Sequence, residues 1–236
     1  MNKYKELKER AWLANMEIPR QRLAIYTWGN VSEIDRSLGV FAIKPSGVPY
    51  DGMQASDMVV LDLDGNVVSG TLRPSSDMKT HLVLYQRFED IGGITHTHSP
   101  YAVAWAQAGL DVPLYGTTHA DHTHRPIPCT PMMSREQVEG DYEHETGVLV
   151  AELFKKKRPK EQPMVLVAGH GPFTWGKDGM ESVYNAVVLE EVCKMAYLTR
   201  TLGPTTPELP SYLKDKHYLR KHGPDAYYGQ DGHSEA

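Results

Sequence analysis

The chain has 236 residues, 40% of them hydrophobic and 23% charged, which suits one globular domain spanning 1–236 with a full core. A formal net charge of −5 argues against non-specific nucleic-acid binding as its main role, and no apolar run approaches the roughly 18 residues of a membrane helix. The first ten residues lack the apolar stretch of a signal peptide, and two cysteines, Cys129 and Cys193, cannot build a disulfide framework; the expected location is the cytoplasm.

Leu7, Ala11, Leu13 and Ala14 mark an amphipathic helix expected to end before Pro19. Val40 to Ile43 reads as a strand stopped by Pro45 and Gly47. Asp57 to Leu63 and Val67-Val68 read as a hairpin through Asp64-Gly65-Asn66, so residues 27–72 look like antiparallel sheet. Ser75-Ser76-Asp77 can cap a helix carrying Met78, Leu82 and Phe88. Ser99-Pro100 opens another helix, running to Gly109. Arg135 to Phe154 is compatible with one helix, closed by the basic run Lys155 to Lys160, which reads as a solvated helix end and loop. Met180 to Leu202 is the longest helical pattern, and a short helix is expected near Tyr212 to Lys221. This order predicts an α/β fold, a single α/β/α layered domain around a central, largely antiparallel sheet.

Ile94-Thr95-His96-Thr97-His98 alternates as a strand does, and residues i and i+2 of a strand share a face, so His96 and His98 present two imidazoles side by side. An isolated pair of this kind also fits two exposed histidines. A third candidate tips the balance: the apolar run Val165 to Ala168 leads into His170, set between Gly169 and Gly171. Three histidines with an open position describe a catalytic metal site. Asp77 is either a helix cap or a fourth, carboxylate ligand; nitrogen and oxygen donors suit Zn²⁺ or Mn²⁺.

Three short segments have the composition of an anion cradle: Gly29-Asn30, Lys44-Pro45-Ser46-Gly47 and Arg73-Pro74-Ser75-Ser76. Singly each is a turn; converging on one site they would hold a phosphorylated small molecule. His122 and His124 form a rival pair in turn-like sequence, with Asp121 beside them as a solvated aspartate or an acid/base, and Tyr228 is either a packing residue of the tail or a proton donor.

Taken together, Trp28-Gly29-Asn30, Lys44 to Gly47, Ser75 to Asp77, His96 to His98, Ala168 to Gly171 and Ala226-Tyr227-Tyr228-Gly229-Gln230 resemble the class II aldolase/adducin family along essentially the whole chain. The resemblance implies metal ligands at Asp77, His96, His98 and His170, usually for zinc. It implies phosphate-binding groups at Gly29, Asn30, Ser46, Gly47, Ser75 and Ser76 with Lys44 close by, an acid/base pair Asp121 and Tyr228, and supporting positions Glu143 and His217. Within the family it points to the epimerase branch, which interconverts L-ribulose 5-phosphate and D-xylulose 5-phosphate by breaking and re-forming the C3–C4 bond. The family's aldolases place a glutamate where this chain has Asp77. An aldolase of the fuculose-phosphate kind and an adducin-like scaffold are the alternatives. The resemblance further implies a phosphorylated pentulose as partner, a homotetramer with active sites between subunits, and a place in the catabolism of arabinose or ascorbate-type sugar acids.

Overall fold

The computed structural model describes residues 3–228; Gly229 and Gln230 of the tail motif lie outside the described residues. Seven strands form one sheet in the order β4-β3-β2-β1-β5-β7-β6: β1 (Asn30–Asp35), β2 (Val40–Ile43), β3 (Val59–Asp62), β4 (Val67–Ser69), β5 (Gly93–His96), β6 (Met164–Val167) and β7 (Gly171–Gly176). Every neighbouring pair is antiparallel. Eight helices surround it: α1 (Lys5–Arg20), α2 (Met78–Arg87), α3 (Pro100–Ala108), α4 (Thr117–Ala120), α5 (Arg135–Glu139), α6 (Tyr142–Leu153), α7 (Gly179–Leu202) and α8 (Ser211–His222), all within the described residues.

Strand alternation sorts side chains into two cores. Phe41, Ile43, Val59, Leu61, Ile94, Phe173 and Trp175 face Leu84 and Tyr85 of α2 and Val150 of α6. Val31, Val40, Ala42 and Val60 point the other way, onto Leu7, Ala11, Ala14 and Ile18 of α1 and onto Val183 and Ala186 of α7. The spacing of the α1 residues is that of one helical stripe, which is why this helix lies flat on the sheet. Trp105 of α3 packs beside α7, its indole donating to the Cys193 carbonyl at 3.0 Å. The result is the expected α/β/α layering.

Three boundaries differ from the sequence reading. Helix α1 continues through Pro19 to Arg20, because a proline in a last turn forfeits one hydrogen bond and the ring already holds a helical φ. The stretch from Arg135 to Phe154 is two helices, broken at Gly140-Asp141. Ser134 caps the first through a reciprocal bond with Gln137, while Asp141 pairs with Lys79 at 2.6 Å. The apolar strand expected to run to His170 ends at Val167, and the chain reverses into β7, whose Gly171, Pro172 and Gly176 masked a strand of six residues.

Candidate metal and substrate site

The site lies where β5 ends and β1 begins: Asn30 and His96 are paired across the ladder. His96, the last residue of β5, stacks on Phe173 with ring centroids 4.3 Å apart, and its Nδ1 lies 2.9 Å from the Pro172 carbonyl. That acceptor places the ring proton on Nδ1 and leaves the Nε2 lone pair for the site, as the outer partner of a metal-ligating histidine does. His98, just beyond the strand, brings its Nε2 to 3.0 Å from His96 Nε2. The turn between β6 and β7 delivers His170, whose ring centroid is 4.7 Å from that of His96. One donor nitrogen from each of His96, His98 and His170 lies within 4.8 Å of the others.

Burial, with His96 nearby, pushes the His170 imidazole down to about 4, and the same causes lower His98. Both are therefore neutral near pH 7, with lone pairs to give. Three imidazoles converging from the end of β5 and from the β6–β7 turn, one oriented from behind by a backbone carbonyl, fit a divalent transition metal.

Asp77 stands at the first position before α2, yet its carboxylate makes no capping bond. Its Oδ2 instead accepts from Asn30 Nδ2 at 2.6 Å, and it lines the cavity with the histidines while standing outside their group of converging donors. Burial works to raise this carboxyl, but His96, His81 and the Asn30 amide outweigh it and hold it below the usual carboxylate range.

The three anion-type segments do come together. Ser46 N donates to the Arg73 carbonyl at 2.9 Å and Ser75 N to the Lys44 carbonyl at 2.9 Å, stitching two loops side by side. With Gly29 and Asn30 they wall a cavity of about 540 Å³, lined also by Ser76, Gly47, Asp77 and the three histidines. Gly29 has φ +76°, and a Cβ on it would sit 2.8 Å from the His96 carbonyl oxygen. The Gly29-Asn30 loop and the first histidine are thus in direct backbone contact, which glycine alone permits. Lys44 is 2% exposed, with no carboxylate within 4 Å among the described residues; burial lowers its ammonium to about 8. An anion in the cavity would oppose this and hold the ammonium charged.

The break before α6 puts Tyr142 and Glu143 on the same wall. Glu143 is held by its backbone, the carbonyl accepting from Thr80 Oγ1 at 2.6 Å. Tyr142, which sequence reasoning passed over, has its hydroxyl 3.3 Å from His170 Nδ1. His81 was missed as well: it is fully buried in α2, its Nδ1 2.6 Å from Ser32 Oγ, and burial drives it down to about 3. Only the helical spacing from Asp77 could have marked it.

Asp121, His217 and Tyr228 assemble elsewhere. Asp121 accepts from Arg220 at 3.0 and 2.6 Å and from His217 Nδ1 at 3.0 Å. Burial tends to raise its carboxyl, and Arg220 with His217 reverses this, keeping it below the usual range. Tyr228 lies over the Arg220 guanidinium at 4.9 Å and is half exposed. Asp121 and Tyr228 line a second cavity that has no lining residue in common with the histidine cavity. Within one chain these groups do not meet the histidine cluster. The rival pair is also dispersed, since His124 bonds Asp215 at 2.7 Å and His122 packs near Tyr184.

A sequence profile of the Class II Aldolase and Adducin N-terminal domain matches residues 10–197. The chain belongs to the class II aldolase and adducin family. It is 53% identical over 225 residues to the L-ribulose-5-phosphate 4-epimerase UlaF of Salmonella paratyphi C (strain RKS4594), covering 95% of this chain and 99% of that one. The same protein of Salmonella choleraesuis (strain SC-B67) is 53% identical over 225 residues. Among solved structures, an L-fuculose 1-phosphate aldolase superposes with a TM-score of 0.76 at 25% identity, covering 91% of this chain and 95% of that one. Family membership thus agrees with the histidine cluster and the loops that face it.

Proposed function

We propose that the chain, acting as one catalytic domain, is a metal-dependent L-ribulose-5-phosphate 4-epimerase. The observation that carries this reading is the joint wall: three imidazoles on one side of a cavity and the Gly29, Ser46 and Ser75 loops on the other. The 53% identity to epimerases over 95% of the chain supports the substrate. His96, His98 and His170, with Asp77 beside them, are the residues to hold Zn²⁺ or a similar divalent ion. When bound, such an ion supplies a Lewis acid for the oxygens of the ketose end.

Carbon 4 of the sugar has no carbonyl next to it, so its proton is not acidic and direct inversion fails. A base instead takes the proton of the C4 hydroxyl, the C3–C4 bond pair passes to C3, and an enediolate of dihydroxyacetone and glycolaldehyde phosphate result. The aldehyde turns and presents its opposite face; the enediolate adds back, and the new C4 alkoxide takes a proton from an acid on the other side. Asn30, Ser46, Ser75 and Ser76 grip the phosphate through this turn, so their contribution is to keep the fragment positioned.

Asp121 and Tyr228 are the proposed acid/base pair, with His217 and Glu143 in support. Because Asp121 and Tyr228 lie apart from the histidine cavity of their own chain, they serve the cavity of a neighbouring copy in a homotetramer. Exposed apolar side chains along α7, including Tyr184, Met195, Leu198 and Leu202, support such an assembly. No helix among the described residues is long and apolar enough to cross a membrane, and the cytoplasm is the proposed working compartment.

A coupled assay for D-xylulose 5-phosphate formed from L-ribulose 5-phosphate tests the reading: turnover lost to a chelator and restored by Zn²⁺ or Mn²⁺ is expected, and turnover untouched by the chelator contradicts it. The fuculose-phosphate aldolase likeness keeps a second reading alive, and glycolaldehyde phosphate accumulating without xylulose 5-phosphate would favour it.

A further inference from the structure

The basic run read from sequence as a solvated helix end is part of a built cavity. Lys157, Arg158 and Lys160, from the segment after α6, meet His124 and Arg125, from the segment after α4, and His222 at the end of α8. They enclose about 410 Å³, a size that takes a small ligand. Their segment is anchored, because the buried indole of Trp175 donates to the Pro159 carbonyl at 2.8 Å. Tyr218 stacks between His124 and His222, with ring centroids 4.7 and 4.6 Å away, and gives the cavity an aromatic wall.

The charge inside is unbalanced. Glu161 is the lining carboxylate, and it pairs with Arg158 at 3.4 Å; Asp215, outside the lining, pairs with His124. Arg125, Lys157 and Lys160 have no carboxylate within 4 Å among the described residues. Burial lowers the Lys157 ammonium; Asp111 opposes this, and the Arg125 guanidinium lowers it further, so the two cations repel across the cavity. Gln162 lines the same wall, is 5% exposed, and its Nε2 amide has no hydrogen-bond partner among the described residues. A buried donor left unmade is costly, and an acceptor beside it recovers that cost.

We propose that this cavity is a second anion site, which binds a phosphate or phosphomonoester dianion outside the histidine cavity. It has no lining residue in common with the histidine cavity, although Lys160, Tyr218 and His222 also line the neighbouring cavity of Asp121 and Tyr228, and its test reads binding and not turnover. Guanidinium forks from Arg125 and Arg158 supply paired donors to phosphate oxygens, and Lys157 and Lys160 add point charges. A concave site favours a small dianion over an extended polyanion, in keeping with the net charge of −5.

Lysine footprinting of the intact, metal-loaded chain tests this. Amine modification is followed by peptide mass spectrometry in inorganic phosphate, in glycerol 3-phosphate, and in sodium chloride of equal ionic strength. At about ten times the dissociation constant, Lys157 and Lys160 are modified about tenfold more slowly, while Lys156, outside the cavity, keeps its rate. Arg125→Gln removes the protection, and Arg158→Gln does so independently. Protection by both phosphates identifies a phosphomonoester site, and by inorganic phosphate alone a phosphate site. Equal rates in phosphate and chloride, or equal slowing of Lys156, overturn the proposal.

Discussion

Replacing Gly29 by alanine tests the contact that joins the Gly29-Asn30 loop to the first histidine. At φ +76° an L-residue pays about 1–2 kcal/mol of left-handed strain. The new methyl would also lie 2.8 Å from the His96 carbonyl oxygen and 3.5 Å from Thr97 Cα, both backbone atoms. That carbonyl belongs to a residue paired with Asn30 in the sheet, so it cannot swing aside as a side chain would. Overpacking of this kind costs about 1–3 kcal/mol more, for a total of about 2–5 kcal/mol. Gly47→Ala is the matched control, because Gly47 has φ +68° and nothing within 4 Å of the added methyl. It should lose only the strain, about 1–2 kcal/mol, and the unfolded-state gain of a Gly→Ala change is common to both. Urea unfolding of the metal-free chain at one fixed concentration reads the difference as a shift in midpoint at constant m. Equal destabilisation by the two substitutions would refute the claim that the loop rests on the His96 backbone.

Three further outcomes are expected. His96→Asn loses bound metal and turnover together while its far-UV circular dichroism is kept; elemental analysis showing a full metal complement would contradict the ligand role. Tyr228→Phe keeps the metal but slows interconversion by roughly two to four orders of magnitude, the span of a general acid/base, and unchanged turnover would remove Tyr228 from the chemistry. His81 and His119 are held by burial to about 3 and about 4, against 6.5 when exposed, so between about pH 6.5 and 4 the unfolded chain binds more protons than the folded one. Stability of the metal-free chain therefore falls on acidification through that window, and a melting temperature flat from pH 6.5 to 4 would speak against both assignments.

The histidine cluster was legible because the signal at each of its two parts is local. His96 and His98 occupy alternate positions at the end of a strand, and His170 follows an apolar run with glycines on either side. The anion cradle was legible only in parts, since Ser46 and Ser75 are joined by backbone bonds between loops about thirty residues apart, which no local pattern encodes. The environment of Asp121 was hidden for the same reason: its partners His217 and Arg220 come from α8, 96 and 99 residues away. Composition misled at β7, where glycine and proline occupy a well-paired strand; Lys155 to Lys160 is largely exposed as its charge suggested, and what charge did not reveal is its anchor, the Pro159 carbonyl held by Trp175. Tyr142 reaches the site because Gly140-Asp141 breaks the helix ahead of it.

X-ray absorption spectroscopy of the zinc-loaded chain bears most directly on the central claim. The account predicts three imidazole nitrogens at about 2.0–2.1 Å with oxygen completing the shell, and loss of one imidazole in His170→Asn. A wild-type spectrum with fewer imidazoles, or one that His170→Asn leaves unchanged, would contradict it.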